Sequence, residues 1–300
     1  MAPGGAEPLR IATRGSALAR WQAQQIAALL GGEVTLVVVD TLGDRDKATS
    51  LDQLGGRGIF VKEVQAAVLD GRADLAVHSA KDLPSSPELA APGLVLACVP
   101  ERGDPRDGLV GSTLDGLAPG APVATGSARR RALLADLRPD LTFLDLRGTM
   151  GTRLARVPPG GAAIMAVAAL DRLGMAERIT EALGSDTFVP MVGQGALAVE
   201  CRADDQPTLD RLAAIEDAPS RRAVDAERAW LATLGGGCDL PAGAHAVVTP
   251  GGTTRLTTLL ASRDGRIVLR SSGEGDDPAE LGARVAGQLL DHGGRWLLEG

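Results

Sequence analysis

The chain has 300 residues, 44% of them hydrophobic and 23% charged, which is typical of a globular protein with room for two or three domains. Its net charge of −7 at pH 7 excludes a general nucleic-acid binder, and its apolar runs are far shorter than the roughly 20 residues of a membrane span. Met1–Gly5 lacks the charged and apolar regions of an export signal, and three cysteines without C-x-x-C spacing disfavour a zinc site or a disulfide framework. We therefore expect a cytoplasmic protein that holds no metal and binds neither nucleic acid nor membrane.

Strand and helix patterns alternate through the first two-thirds of the chain, which predicts α/β layers with largely parallel sheets. Asp44–Gly58 is rich in Gly, Asp and Arg without periodicity, and this composition predicts a long mobile loop. The predicted helices include Ser16–Leu30, Phe60–Leu69 and Ala128–Leu137. The predicted strands are Leu9–Thr13, Val34–Asp40, Ala73–His78, Val95–Val99, Val123–Thr125, Ala162–Ala166 and Ala196–Glu200.

One local pattern occurs twice in this region. In Ile11–Ala17 and again in Val123–Arg129, a predicted strand ends in Thr and a Gly-Ser pair opens the next helix. The N–H groups and the dipole at such a helix start favour an anion, although two ordinary serine N-caps would look the same. The repetition predicts two similar α/β domains that face each other across a cleft.

The pattern changes after Pro219 and predicts a small third domain of the α+β class. We expect a first α/β domain of residues 1–98 with 196–215, a second of residues 99–195, and a C-terminal domain of residues 216–300. The predicted elements of the C-terminal domain are a helix at Pro219–Thr233, strands at Ala244–Val248, Leu256–Ala261 and Ile267–Ser271, a hairpin turn at Arg263–Arg266 and a helix at Pro278–Leu290.

Cys238 is a candidate covalent attachment point. It lies in Leu234–Pro241, where three glycines let the backbone or a ligand approach the sulfur closely. Cys98 and Cys201 lie in apolar runs typical of strands, and we expect their thiols to be inert. The alternative for Cys238 is a turn with an incidental cysteine.

A charged pair follows the predicted strand that contains Leu75–Val77. Asp82 comes directly after Lys81, at a strand carboxyl end, where open α/β sheets place ligand-binding groups. The carboxylate can accept a hydrogen bond from an N–H donor and stabilise developing positive charge, and the lysine supplies a charge for an anion. A solvated Lys-Asp turn is the alternative, and His78 is expected to be structural.

The chain is locally positive between residues 129 and 172, where eight arginines stand against four acids. Arg129 and Arg130 fall in the first turn of a predicted helix, where a negative partner would offset their unfavourable interaction with the helix dipole. Arg147 follows a strand-like run, and Arg153 and Arg172 flank an apolar strand. Guanidinium groups bind carboxylates bidentately, so the pattern predicts a cleft for a ligand with several carboxylates. A solvated surface position is the alternative for any single arginine.

Ten stretches, distributed between Arg10 and Cys238, occur in a characteristic order. They are Arg10–Ser16, Gly55–Glu63, Ala76–Pro84, Glu101–Asp107, Leu146–Gly148, Gly151–Leu154, Ala166–Gly174, Val192–Ala196, Ala226–Ala229 and Gly236–Cys238. In this set the chain resembles the porphobilinogen deaminase family, also called the hydroxymethylbilane synthases. The resemblance implies a monomer with two similar α/β domains, like those of periplasmic binding proteins, around a cleft, and a small C-terminal α+β domain.

The resemblance also implies an activity. The family joins four porphobilinogen molecules head to tail into linear hydroxymethylbilane in tetrapyrrole (haem) biosynthesis, and ammonia is released at each step. The growing chain is attached to a dipyrromethane cofactor, which a thioether holds to one cysteine, and Cys238 matches that cysteine. Asp82 matches the catalytic aspartate, whose carboxylate contacts pyrrole N–H groups and stabilises the cation left by the loss of ammonia.

Other positions match residues of the family that hold the acetate and propionate carboxylates of the pyrroles. The chain departs from the family pattern at Gly126, Thr149 and Gln53, but at neither Cys238 nor Asp82, so we expect activity. By resemblance, the residues for cofactor binding are Lys81, Ser127, Arg129, Arg130 and Arg147. Those for substrate binding are Arg14, Ser16, Arg153, Arg172, Thr125 and Phe60.

Two other functions stay open at this point. A binding protein with the same two-domain cleft would capture a polycarboxylate ligand without reacting, but it would need no covalent tether at Cys238. A catalytically inactive scaffold would need neither Asp82 nor Cys238.

Overall fold

The computed structural model describes residues 8–41, 61–235 and 240–299, which include two five-stranded sheets and one three-stranded sheet. Phe60, Cys238 and the loop predicted at Asp44–Gly58 lie outside the described residues. Within the described ranges, no helix is long and apolar enough to cross a membrane.

The first sheet is built mainly from the N-terminal third of the chain. Its strands are β1 (Leu9–Arg14), β2 (Val34–Val39), β3 (Leu75–Ser79), β4 (Leu94–Cys98) and β10 (Leu197–Arg202), and its helices are α1 (Ala17–Leu30), α2 (Lys62–Leu69) and α6 (Gln206–Ala213). The strand order is β2-β1-β3-β10-β4, with β1 parallel to β2 and β3, and with β10 antiparallel to β3 and β4. Ile11 of β1 and Leu75 of β3 are fully buried in one core with Ile26 of α1. The helix covers this face of the sheet because its apolar positions recur on one side.

The second sheet repeats this topology. Its strands are β5 (Asp107–Val110), β6 (Pro122–Ala124), β7 (Thr142–Leu144), β8 (Ala162–Ala166) and β9 (Glu181–Ala182), and its helices are α3 (Ala128–Leu137), α4 (Met150–Ala155) and α5 (Val167–Arg172). The order is β7-β6-β8-β5-β9, with β6 parallel to β7 and β8, and with β5 antiparallel to β8 and β9. The prediction of two similar α/β units is confirmed.

The prediction of largely parallel sheets is wrong, since two of the four strand pairings in each sheet are antiparallel. The cause is the path of the chain. β5 enters the second sheet directly from β4, and β10 enters the first sheet from β9, so each runs against its neighbours. Sequence patterning did not predict β5 or β9, which are only four and two residues long, and it indicated β7 only as the strand-like run before Arg147.

The C-terminal part is a three-stranded antiparallel sheet with helices, as the sequence predicts. Its elements are α7 (Ala218–Leu234), β11 (Ala242–Val248), β12 (Thr254–Ala261), β13 (Val268–Gly275), α8 (Pro278–Leu289) and α9 (Arg295–Glu299). α7 and α8 approach each other closely because Gly282 has no side chain, and a Cβ there would lie 2.5 Å from Ala226 O. Trp230 is fully buried in the core that these helices form with the sheet.

Two crossover segments, residues 99–106 and 183–196, connect the two larger sheets. They run side by side, and Gly103 N donates to Gly195 O at 3.1 Å. Gly195 has a φ of +86°, and a Cβ there would lie 2.5 Å from Gly103 O. Glycine is therefore required for this close approach. The two crossover segments lie next to each other where they join the two halves.

Glu227 of α7 is fully buried beside the crossover segments, at 0% exposure. Its carboxylate accepts hydrogen bonds from Arg102 Nη1 at 2.6 Å, from Gly193 N at 2.7 Å and from Ala246 N at 2.8 Å. Arg102 and Gly193 belong to the crossover segments, and Ala246 belongs to β11. One carboxylate therefore joins the C-terminal part to both connections between the larger sheets.

Glu227→Gln should lower the free energy of unfolding by about 3–5 kcal/mol, because Arg102 would stay buried without a counter-charge. Urea unfolding measures this change. The control is Glu274→Gln, which removes an exposed ion pair with Arg255 (2.7 Å) and should cost less than about 1 kcal/mol. Similar costs for the two variants would contradict the central position of Glu227.

Candidate active site

Asp82 is exposed at the end of a 3-10 turn that continues from β3. Ala80 N donates to Ala196 O at 3.0 Å, which ties the turn to the start of β10. Arg228 Nη2 of α7 donates to Pro84 O at 2.7 Å, which fixes the chain on the other side of Asp82. A turn anchored on both sides therefore presents the carboxylate to solvent.

A small pocket opens beside Asp82, between the end of β3 and the start of α1. Its lining includes Arg14, Ser16, Gln22 and Ser79. Ser16 is the N-cap of α1, and its Oγ accepts a backbone N–H at 3.2 Å. Gln22 Nε2 donates to Ser79 Oγ at 2.8 Å, which joins α1 to β3. The helix start and the arginine make the pocket favourable to an anion.

Lys81 and Arg153 bring positive charge to Asp82 from the two halves of the molecule. Burial, followed by Arg130, lowers the pKa of Lys81 to about 8, and Asp82 and Asp107 oppose the shift. Burial, again followed by Arg130, lowers the pKa of Arg153, and Asp82 opposes that shift too. The proximity of these charges makes the site suitable for an anionic ligand.

Asp107 is fully buried at the start of β5 and joins Arg129 and Arg130 into one cluster. Arg129 Nη2 lies 2.8 Å from Asp107 Oδ2, and Arg130 Nε donates to Oδ1 at 2.9 Å. Gln194 Nε2 donates to the same Oδ1 at 3.0 Å. Burial alone would raise the pKa of Asp107, but the two arginines lower it to about 2. Asp107 was not among the site residues predicted from the sequence, although a carboxylate that opens the apolar run Asp107–Val110 is a signal that could have indicated it.

The loop before α3 explains why this chain has a glycine at position 126, which is one of its departures from the family pattern. Ser127 caps α3, where its Oγ accepts a backbone N–H at 3.4 Å, and its own N–H donates to Thr125 Oγ1 at 3.2 Å. A Cβ on Gly126 would lie 2.8 Å from Leu146 O, so a larger residue there requires a shift of the backbone. Thr149 also acts as an N-cap, since its Oγ1 accepts a backbone N–H of α4 at 3.3 Å.

The remaining arginines of the predicted site differ in exposure. Arg147 is exposed, and its Nε donates to Asp145 Oδ2 at 3.1 Å. Arg153 is half-buried, and its Nε donates to Gly148 O at 2.9 Å. Arg172 is also half-buried, and its Nη2 donates to a backbone carbonyl at 2.5 Å. Several donors of these side chains are therefore already used within the protein.

The structure supports the inert roles expected for three residues. His78 is buried, with its Nε2 3.1 Å from Glu200 Oε2. Burial raises the pKa of the Cys98 thiol to about 12 and that of the Cys201 thiol to about 11, so both thiols stay protonated at neutral pH. Cys238 belongs to the connection between α7 and β11, outside the described residues.

Comparisons with known proteins match one and the same family over most of the chain. The family model "Porphobilinogen deaminase, dipyromethane cofactor binding domain" matches residues 9–210, and "Porphobilinogen deaminase, C-terminal domain" matches residues 222–291. The porphobilinogen deaminase of Roseiflexus castenholzii is 46% identical over 303 residues, which cover 97% of this chain and 99% of that one. The porphobilinogen deaminase of Nitratidesulfovibrio vulgaris is 44% identical over 307 residues, which cover 97% and 96% of the two chains.

Among solved structures, the chain has a distant likeness to the alkanesulfonate-binding protein SsuA from Xanthomonas axonopodis pv. citri. The TM-score is 0.34 and the sequence identity 17%, over 76% of this chain and 73% of that one.

Lys81→Arg tests the titration of the half-buried lysine. The chain has three lysines, so reductive ¹³C-methylation gives few NMR signals, and one should titrate at about pH 8 and vanish in Lys81→Arg. Lys62→Arg, at the exposed start of α2, is the control and should keep that signal. Because the unfolded chain holds the proton up to about pH 10.4, the Lys81 contribution should raise the free energy of unfolding between about pH 8 and 10.4. If all lysine signals titrate near pH 10.4, the buried environment of Lys81 is contradicted.

Proposed function

Because the chain belongs to the porphobilinogen deaminase family, we propose that Asp82 is its catalytic residue and that Cys238 carries its dipyrromethane cofactor. The protein is an enzyme that polymerises porphobilinogen into hydroxymethylbilane in tetrapyrrole synthesis. One observation carries the assignment of Asp82. Its exposed carboxylate lines the pocket at the start of α1 and interacts with the charges of Lys81 and Arg153.

The proposed task of Asp82 is to stabilise positive charge on the substrate. Loss of ammonia from porphobilinogen leaves a cationic methylene-pyrrolenine, and a carboxylate that accepts the pyrrole N–H stabilises this cation. The turn that carries Asp82 is anchored on both sides, so the carboxylate needs little reorganisation when the charge develops. When bound, dipyrromethane supplies the free pyrrole position to which the first substrate unit is joined.

The side chains around Asp82 fit a cofactor and a substrate that carry carboxylates. Cations outnumber carboxylates here, so the cluster keeps an excess of positive charge. The buried Arg129 Nε has no hydrogen-bond partner among the described residues, which leaves the cluster short of an acceptor. The cations are Lys81, Arg129, Arg130 and Arg153, and the carboxylates are those of Asp82 and Asp107.

The carboxylates of cofactor and substrate need different partners along the cleft. Arg129 and Arg130 are buried and held by Asp107, which suits a permanently bound group, whereas Arg14 and Arg153 are only half-buried. Arg147 is exposed, and its assignment to the cofactor rests on the family resemblance alone. To the cofactor we assign Lys81, Ser127, Arg129, Arg130 and Arg147. To the substrate we assign Arg14, Ser16, Thr125, Phe60, Arg153 and Arg172.

We also infer a monomeric cytoplasmic enzyme with three domains, formed by residues 1–98 with 196–215, by residues 99–195 and by residues 216–300. The division is supported by the strand order, because β10 joins the sheet of β1–β4 while β5–β9 form the other sheet. A non-catalytic binding protein is the weaker alternative, since the relatives that match nearly the whole chain are named as deaminases.

Cys238→Ser tests the covalent attachment by intact mass. The purified wild-type protein should exceed its sequence mass by two linked pyrrole units, and Cys238→Ser should lack this excess. Cys98→Ala removes a buried thiol and should keep the excess, which makes it the control. A wild-type protein without excess mass after incubation with porphobilinogen would rule out the tether.

Asp82→Asn keeps the size of the side chain and removes its charge. Turnover of porphobilinogen should fall by roughly 10²- to 10³-fold, because the cation loses its stabilising carboxylate. The melting temperature should change little, since Asp82 is exposed. The control is Asp204→Asn, at another exposed aspartate. Turnover equal to that of the control would remove Asp82 from the mechanism.

A further inference from the structure

Arg172 lies where the two α/β halves meet. It is the last residue of α5, and its Nη2 donates to Gly195 O at 2.5 Å. The same carbonyl accepts the N–H of Gly103 at 3.1 Å, and a Cβ on Gly103 would lie 3.4 Å from Arg172 Nη2. The guanidinium therefore packs against both crossover segments.

Trp21 of α1 approaches the same guanidinium from the first half of the molecule. The Arg172 Cζ lies 5.7 Å from the centre of the Trp21 ring. Tryptophan gives the strongest cation–π attraction of the aromatic side chains, at distances up to about 6 Å. The contact connects α1, whose first turn borders the Asp82 pocket, to the end of α5.

Arg172 differs from two other arginines of the cleft in the charge of its partners. Arg129 and Arg130 share the carboxylate of Asp107, which compensates part of their charge. In the part of the chain that the structure describes, Arg172 forms no salt bridge, and its contacts are a carbonyl and an aromatic ring. The nearest negative charge that acts on it is that of the adjacent, exposed Asp171. The carbonyl and the ring are neutral, so these two contacts fix the guanidinium without pairing its charge.

We propose that Trp21 is a positioning residue for the reaction: its ring holds the Arg172 guanidinium at the junction of the two halves, with the charge available to a substrate carboxylate. The inference rests on the proposed role of Arg172 in substrate binding. A carboxylate in place of the ring would neutralise the charge that the substrate needs. An aliphatic side chain would leave the arginine free to adopt other rotamers, which costs entropy when substrate binds.

The test measures steady-state kinetics of the holoenzyme with porphobilinogen. Trp21→Leu should raise KM roughly three- to tenfold and leave kcat within about twofold, because the π face that orients Arg172 is lost. Trp21→Phe keeps an aromatic face and should recover most of the loss. Trp296→Leu is the control, because Trp296 is 67% exposed on α9, and it should leave both constants unchanged.

An Arg172→Gln background separates the positioning role from a direct or merely structural one. If Trp21 acts through Arg172, adding Trp21→Leu to Arg172→Gln should change KM no further. A further rise in KM there, or a lower melting temperature with normal KM in Trp21→Leu, would overturn the inference.

The single variants distinguish this inference from the proposal on which it rests. If Arg172→Gln raises KM and Trp21→Leu does not, only the role of Trp21 is overturned. If Arg172→Gln leaves KM unchanged, the assignment of Arg172 to a substrate carboxylate fails together with the inference.

Discussion

The buried carboxylate of Glu227 is the constraint on which the arrangement of the three sheets depends. A carboxylate at 0% exposure is tolerated only when its oxygens are paired, and here the partners come from both crossover segments and from β11. α7 cannot shift relative to these segments without leaving a charge unpaired. Since α7 leads to the connection that contains Cys238, the same contacts fix the point from which that connection starts.

The proposed site presents a second electrostatic problem, because the cations to which the proposal assigns the ligand carboxylates repel one another before the ligand arrives. Asp107 reduces this repulsion for Arg129 and Arg130 by pairing with both. Lys81 forms no ion pair with the described residues, and burial together with Arg130 lowers its pKa to about 8, although Asp82 and Asp107 oppose the shift. A ligand carboxylate would favour the charged lysine, so binding and proton uptake are linked at this residue.

Local sequence patterns predicted most of the longer elements and the residues at their ends, but not the partners that meet across the chain. Asp82, Ser16 and Ser127 are recognisable because a strand end or a helix start marks them. The bond between Gln194 and Asp107 spans 87 positions, and that between Arg102 and Glu227 spans 125. No sequence periodicity connects residues so far apart. These contacts form because the crossover segments that lead to β5 and β10 connect the two larger sheets.

The repeated topology also shows how two similar halves divide one task. β3 and β8 occupy the same place in their sheets, but the chain that follows them differs. β3 leads into the turn that exposes Asp82, whereas β8 continues into α5 through the buried Val167 and Ala168. The first half therefore supplies the carboxylate at this position, and the second supplies most of the arginines. Because Arg153 of the second half interacts with Asp82 of the first, the two halves together place cations beside one exposed carboxylate. The proposed reaction needs this combination, since its substrate would have a cationic centre and anionic arms.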